Sequence, residues 1–120
     1  MSESEWNPDL ITKSELELRL EEAMLRGDYR ACIRIYFTFI LKEMIRLKRI
    51  KWKKDLTNFD YLLQVQSNKK IERTDFESFS ESIRIYDLVW YGEYDIKNEE
   101  YSELSPILAN YYKHLNSKND

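Results

Sequence analysis

The sequence predicts an all-α fold, a compact bundle of about five helices with the second helix central. Three observations carry this. Gly and Pro occur only twice each in 120 residues, so the turn chemistry that hairpins and barrels need about every 8–12 residues is missing. Glu, Lys, Leu and Arg, which lose little side-chain freedom in a helix, are abundant. Apolar residues recur at three- and four-residue spacing through most of the chain. A hydrophobic fraction of 42% argues against disorder despite 34% charged residues. One domain is expected at this length. It is placed at residues 12–116, between a flexible, polar N-terminal tail at 1–11 and a short tail at 117–120.

The first helix opens at Thr12 with a Thr-x-x-Glu capping box, in which Thr12 accepts from residue 15 and Glu15 reaches back. Leu16, Leu20, Ala23 and Met24 form its buried face. Gly27 ends it, because Gly accepts a left-handed backbone without steric cost. Asp28 caps the second helix at once, so the two helices form an antiparallel hairpin. The second helix runs from Tyr29 to about Arg49 and is apolar around much of its circumference, as a central helix is. Thr57, with Asp60 three residues on, caps a short third helix that buries Phe59, Leu62 and Val65 or their neighbours. Thr74 opens the fourth helix with the box TDFE, and Phe76, Phe79, Ile83, Tyr86 and Trp90 line its inner face. The fifth starts near Asn98 and buries Tyr101, Leu104, Leu108, Tyr111 and Leu115. Pro106 is expected to kink it or to restart it with Ser105 as cap. A tetratricopeptide-like array of helix pairs is the architectural alternative, but its 34-residue period does not recur.

The stretch VWYGEYD, Val89–Asp95, is dense in aromatic residues. Val89 and Trp90 extend the inner stripe of the fourth helix, and Gly92 stands where a helix end favours Gly. Tyr91 and Tyr94 are expected over that helix end, with hydroxyls available to loop backbone.

A net charge of −3 conceals a strong asymmetry. Residues 29–54 carry 9 bases and 1 acid, whereas residues 1–28 carry 8 acids and 3 bases. The candidate interaction surface is therefore Lys48, Arg49, Lys51, Trp52, Lys53 and Lys54. Solvated charge that complements the end of the second helix is the plainest reading of this run. An acidic protein partner or an anionic membrane surface would also suit it. The acidic remainder and the lack of a distinct recognition helix weigh against nucleic acid.

No catalytic, cofactor or metal constellation is legible. Cys32 is the single cysteine, which excludes an internal disulfide, and its helical apolar setting reads as core packing. His114, the single histidine, lies far from it in sequence. Glu99, Glu100 and Glu103 crowd the start of the fifth helix, where the dipole favours acids. No run of 18 apolar residues predicts a membrane span, and the N-terminus does not read as a signal peptide.

Taken in order, RGDYRACIRIYFTFILKEM, the basic link, TNFDYL and VWYG resemble one domain. It is the C-terminal helical domain of bacterial membrane-anchored transglutaminase-like proteins, a family domain of unknown function, and the resemblance covers roughly residues 14–115. Gly27, Asp28 and Tyr29 match the family's helix junction, Tyr36 its aromatic position in the second helix, and Thr57 and Tyr61 its Thr-x-x-x-Tyr element. Trp90, Tyr91 and Gly92 match its closing motif. Asp60 and Cys32 stand where the family often has Glu and Ala. The resemblance implies a cytoplasmic tail that follows a membrane anchor at the bacterial inner membrane, and it implies no reaction or cofactor. The separate transglutaminase-like domain has no counterpart here. The expected function is a non-enzymatic interaction or regulatory domain. The alternative is a small-ligand-binding or enzymatic module with a pocket near Trp90, Tyr91, Tyr61 and Tyr29.

Overall fold

The computed structural model describes residues 6–92 and 95–119. Five helices follow one another: α1 Lys13–Arg26, α2 Tyr29–Arg46, α3 Asn58–Ser67, α4 Arg73–Trp90 and α5 Asn98–Asn116. No strand occurs among the described residues. The Cα radius of gyration, 13.8 Å, matches that of one compact domain of this length, about 13.6 Å.

Helix α2 packs against α1, α4 and α5, while α3 rests on α4. The directions follow from end-to-end contacts. Lys13, at the start of α1, meets Glu43 near the end of α2 at 2.6 Å. At the opposite pole, Arg30 Nη2 donates to the Trp90 carbonyl at 2.9 Å, and Tyr29 Oη donates to Asn98 Oδ1 at 3.1 Å. So α1 and α4 run antiparallel to α2, whereas α5, which starts beside the start of α2 and ends beside its end, runs parallel to it. This enclosure buries α2 on every side: Cys32, Ile33, Ile35, Phe37, Phe39 and Ile40 are all core residues. It also buries three polar residues of that helix, Arg34, Thr38 and Glu43.

Local signals set several boundaries as expected. Gly27 has φ 66° and Asp28 N donates to Ala23 O at 2.9 Å, which closes α1 with a left-handed cap. Asp28 then accepts from Ala31 N at 3.1 Å and opens α2. At α3 the full box forms: Thr57 Oγ1 accepts from Asp60 N at 3.2 Å, and Asp60 Oδ2 accepts from Thr57 N at 2.8 Å.

Elsewhere other contacts override the expected pattern. Thr12 caps α1, but Glu15 turns to Arg19 at 2.7 Å instead of reaching back. Met24 is exposed, because α1 has only α2 to pack against along its length. Helix α2 stops at Arg46, three residues short of Arg49: Lys48 takes a left-handed φ of 59°, and Arg49 N folds back to Met44 O. That conformation costs a non-glycine residue about 1–2 kcal/mol. Burial of Leu47 and Ile50 on either side offsets it. On α3 Val65 is buried as expected, but its companion in the core is the neighbour Tyr61 and not Phe59, which is 64% exposed. The helix is covered along a narrow stripe, and Tyr61 alone can also serve link backbone with its hydroxyl. Helix α4 begins at Arg73, so Thr74 lies inside it and does not cap it. Asp75, in that first turn, is drawn into the interior by cations of neighbouring segments. Helix α5 continues through Pro106 without a restart.

Residues 6–11, assigned by sequence to a flexible tail, lie against the bundle. Pro8 and Ile11 are buried, and Lys42 Nζ donates to the Pro8 carbonyl at 3.0 Å.

Candidate functional site

The basic link between α2 and α3 is divided by its own side chains. Lys48, Lys51, Lys53 and Lys54 are exposed. Arg49 turns inward to within 3.4 Å of Asp75, and Trp52 turns onto the core. The backbone between them is held by α3. Lys51 N donates to Gln64 Oε1 at 2.8 Å, Lys53 N donates to Tyr61 Oη at 3.1 Å, and Tyr61 Oη donates to Lys53 O at 2.8 Å. The lysines are thus displayed from a fixed segment.

Behind the link lies a partly enclosed cavity of about 320 Å³. Phe37, Trp52, Tyr61 and Tyr86 contribute aromatic surface, and Trp6 and Pro8 bring the N-terminal stretch to its wall. Asn7, Arg34, Thr38 and Asn58 add polar groups, Leu10, Leu41 and Leu56 add aliphatic surface, and Lys54 and Tyr91 join the lining at exposed positions. Arg34 is only 6% exposed. Its guanidinium lies between two indoles, 4.7 Å from the Trp6 ring centre and 4.3 Å from that of Trp90. Arg30 covers Trp90 at 3.9 Å, so Arg30 and Arg34, one turn apart on α2, grip the same ring.

The aromatic pocket anticipated from sequence is therefore present in part. Tyr61 and Tyr91 line it, whereas Trp90 stands behind Arg34, half-buried and gripped by cations rather than enclosed in the core. Tyr29 is elsewhere, stacked on Tyr101 at 4.6 Å. Tyr36, another family-motif position, packs half-buried on the core. Tyr91 is 70% exposed and meets Tyr86 edge-on at 6.0 Å. Tyr94 lies outside the described residues. Gly92 lacks the positive φ expected of a left-handed cap. Its need for Gly is steric: a Cβ there would stand 2.5 Å from the Leu88 carbonyl oxygen.

At the pole where α2 and α5 end, charges that the sequence left scattered converge. Glu43 is fully buried and contacts Lys13 and Arg46. Arg46 Nη2 also donates to the carbonyls of Leu115 and Lys118, each at 3.0 Å. Burial alone would raise the Glu43 pKa, but the Lys13 and Arg46 contacts outweigh it and hold the carboxyl below its ordinary range. Asp75, 4% exposed, has Arg49 at 3.4 Å and His114 Nε2 at 3.0 Å. Ser78 shares an open groove with His114, and no hydrogen bond joins their side chains among the described residues.

Cys32 lies in the interior away from His114. Burial pushes both its thiol and the neighbouring Tyr101 hydroxyl up, which keeps both protonated at neutral pH. Glu99, Glu100 and Glu103 form no metal-holding group with His, Cys or other acids among the described residues.

The Arg–Trp stack and the buried carboxylates are the site features that sequence reasoning missed. One signal was present. Arg34, Thr38 and Glu43 interrupt an otherwise apolar central helix, and a polar group there must find a buried partner. None of the described helices is long and apolar enough to cross a membrane. No family model, curated protein or solved structure matches the chain.

Proposed function

We propose that the chain is a non-enzymatic interaction domain that docks on an acidic protein surface through the lysines of the α2–α3 link. The observation that supports this reading is the display of Lys48, Lys51, Lys53 and Lys54 from backbone that Gln64 and Tyr61 hold in place. A held loop loses less entropy on binding than a floppy one. Trp52 separates the protein partner from the other candidates. A membrane-surface or nucleic-acid contact would use an outward indole for insertion or stacking, and Trp52 lines the cavity instead. On the sequence resemblance, we read the domain as a cytoplasmic-side part of a membrane-anchored bacterial protein related to the transglutaminase-like group.

The test is capture from native cell extract beside a Lys51→Glu/Lys53→Glu variant with an unchanged melting temperature. A protein kept by the wild type, released at about 0.5 M salt where charges are screened beyond about 4 Å, and lost by the variant supports the reading. Equal retention by both chains refutes it. Binding to phosphatidylglycerol vesicles with no protein retained would replace the protein partner by a membrane surface.

A further inference from the structure

The lysine face of the α2–α3 link has its complement on the same chain. Helix α3 carries an apolar pair beside the link: Phe59 and Leu63, one turn apart, are 64% and 45% exposed. They stand opposite Tyr61 and Val65, through which α3 is buried. Gln64 and Tyr61 hold the link alongside, so the apolar pair and the exposed Lys51 and Lys53 form one surface, with Asp55 as the single acid of the link. Helix α1 presents the opposite sign. Leu16 and Ala23 are its buried residues, and Leu18 and Leu25 lie half a turn round from them, 57% and 83% exposed. Glu17, Glu21 and Glu22 flank these leucines, all exposed. Helix α1 packs on α2 and α3 on α4, and both stripes are open, so neither covers the other within one chain.

We propose that the chain self-associates head to tail, with the α1 stripe of one copy seated on the α3–link face of the next. This rests on the reading of the link lysines as a docking face, and it names a second copy as the acidic partner. Each stripe supplies what the other lacks: an apolar pair meets an apolar pair, and glutamates meet lysines. Leu18 and Leu25 are two turns apart, about 10 Å along the helix. That spacing admits the Phe59 ring between them and sets Lys51 and Lys53 against Glu21 and Glu22. Because two different faces meet, each copy in a pair keeps one face of each kind between them, and association continues into chains or closes into rings. Two apolar pairs and a few surface charges make a contact below the standard interface size, so a weak Kd of about 10–100 μM is expected.

The experiment is sedimentation velocity of the whole chain at low salt, from about 5 to about 500 μM, which spans that Kd. The sedimentation coefficient should rise with concentration, and the rise should vanish at about 0.5 M salt. Lys51→Glu/Lys53→Glu and Glu21→Lys/Glu22→Lys change exposed positions only, so both should fold. Each should weaken self-association at least about tenfold, because like charges then face each other. Mixed in equal amounts, the two variants should associate again, since the glutamates of the first meet the lysines of the second. A chain with all four substitutions, whose net charge is that of the wild type, should also self-associate. Leu25→Ser and Phe59→Ser should each weaken the contact without altering charge. A chain that stays monomeric up to about 500 μM would overturn the inference, and so would self-association that survives either charge reversal or a mixture of the two variants that stays monomeric. Failure of the docking reading itself shows differently, as equal retention of extract proteins by the wild type and Lys51→Glu/Lys53→Glu.

Discussion

The buried carboxylate of Glu43 makes a prediction in which removing a cation costs more than removing the acid. Glu43 is fully buried, whereas its partners are not: the Lys13 and Arg46 side chains are 42% and 39% exposed. Substituting Arg46→Met strips one counter-charge from an acid that has no route to water. It also takes one donor from Leu115 O, which keeps the Lys118 N–H, and the Arg46 donor from Lys118 O just beyond α5. Breaking a buried pair by deleting one partner costs about 3–5 kcal/mol. Lys13 remains 2.6 Å from the carboxylate, so the low end, about 3 kcal/mol, is expected. With an unfolding entropy of about 0.25 kcal/mol per kelvin for a chain of this length, the melting temperature should fall by about 12 °C. Glu43→Gln keeps the shape and releases two cations that can reach solvent, so about 1–2 kcal/mol is expected. The pH dependence supplies a second check. The folded-state pKa of Glu43 is lowered, so its contribution is complete above the ordinary glutamate value, about 4.3. It is then lost as pH falls through the lower folded value. Urea unfolding at pH 7 and at about pH 3.5 should show the gap between wild type and Arg46→Met narrowing at the lower pH. A Glu43→Gln cost equal to or above that of Arg46→Met would refute the argument, and so would a gap that does not change with pH.

The two glycines should fail differently. Gly27→Asn should be tolerated, because Asn accepts the left-handed region and nothing lies within 4 Å of a Cβ there. Gly92→Asn should cost on the order of 2 kcal/mol through collision with the Leu88 carbonyl, and thermal melts that rank the two variants the other way would reverse the assignment. Pro106→Ala, at an exposed position inside α5, should stabilise the domain by on the order of 1–3 kcal/mol by restoring a helical donor. A lowered melting temperature would show instead that α5 depends on the proline.

What was legible in the sequence was local. Gly27, Asp28 and the Thr57–Asp60 box act through residues within four positions, so their geometry follows from the residue types themselves. The central place of α2 was also legible, because an all-round apolar helix has to be enclosed. The failures have different causes. Glu15 had two local partners, the cap and Arg19 one turn on, and took Arg19; Thr74 falls inside α4 because that helix starts one residue earlier; Asp75 is set by Arg49 and His114, which only the fold brings near. Phe59 and Tyr61 are both aromatic and two residues apart, and hydrophobicity favours Phe. The unpaired backbone of Lys53, reachable only after α3 docks, selects Tyr. An aromatic pocket was expected near Trp90, Tyr91, Tyr61 and Tyr29; Tyr61 and Tyr91 line the cavity, Trp90 and Tyr29 do not, and Arg34 and the Trp6 wall come from segments that meet only in the folded chain.

Within the basic run, arginines and lysines do different work, and the difference bears on function. Arg34, Arg46 and Arg49 enter the structure, where they stack between indoles, bind helix-end carbonyls or face a buried acid. A guanidinium is planar, weakly hydrated and rich in donors, so it can satisfy several partners at once and leave water at modest cost. The four lysines of the link stay in solvent, as a strongly hydrated ammonium does when no buried acid calls it in. Counting all the bases as one patch therefore overstates the docking charge by the arginines that hold the fold. It also means that the displayed charge can be reversed while the fold is left intact. A loss of partner binding in Lys51→Glu/Lys53→Glu then reports on the surface, whereas the same loss in an Arg46 or Arg49 variant would report on stability.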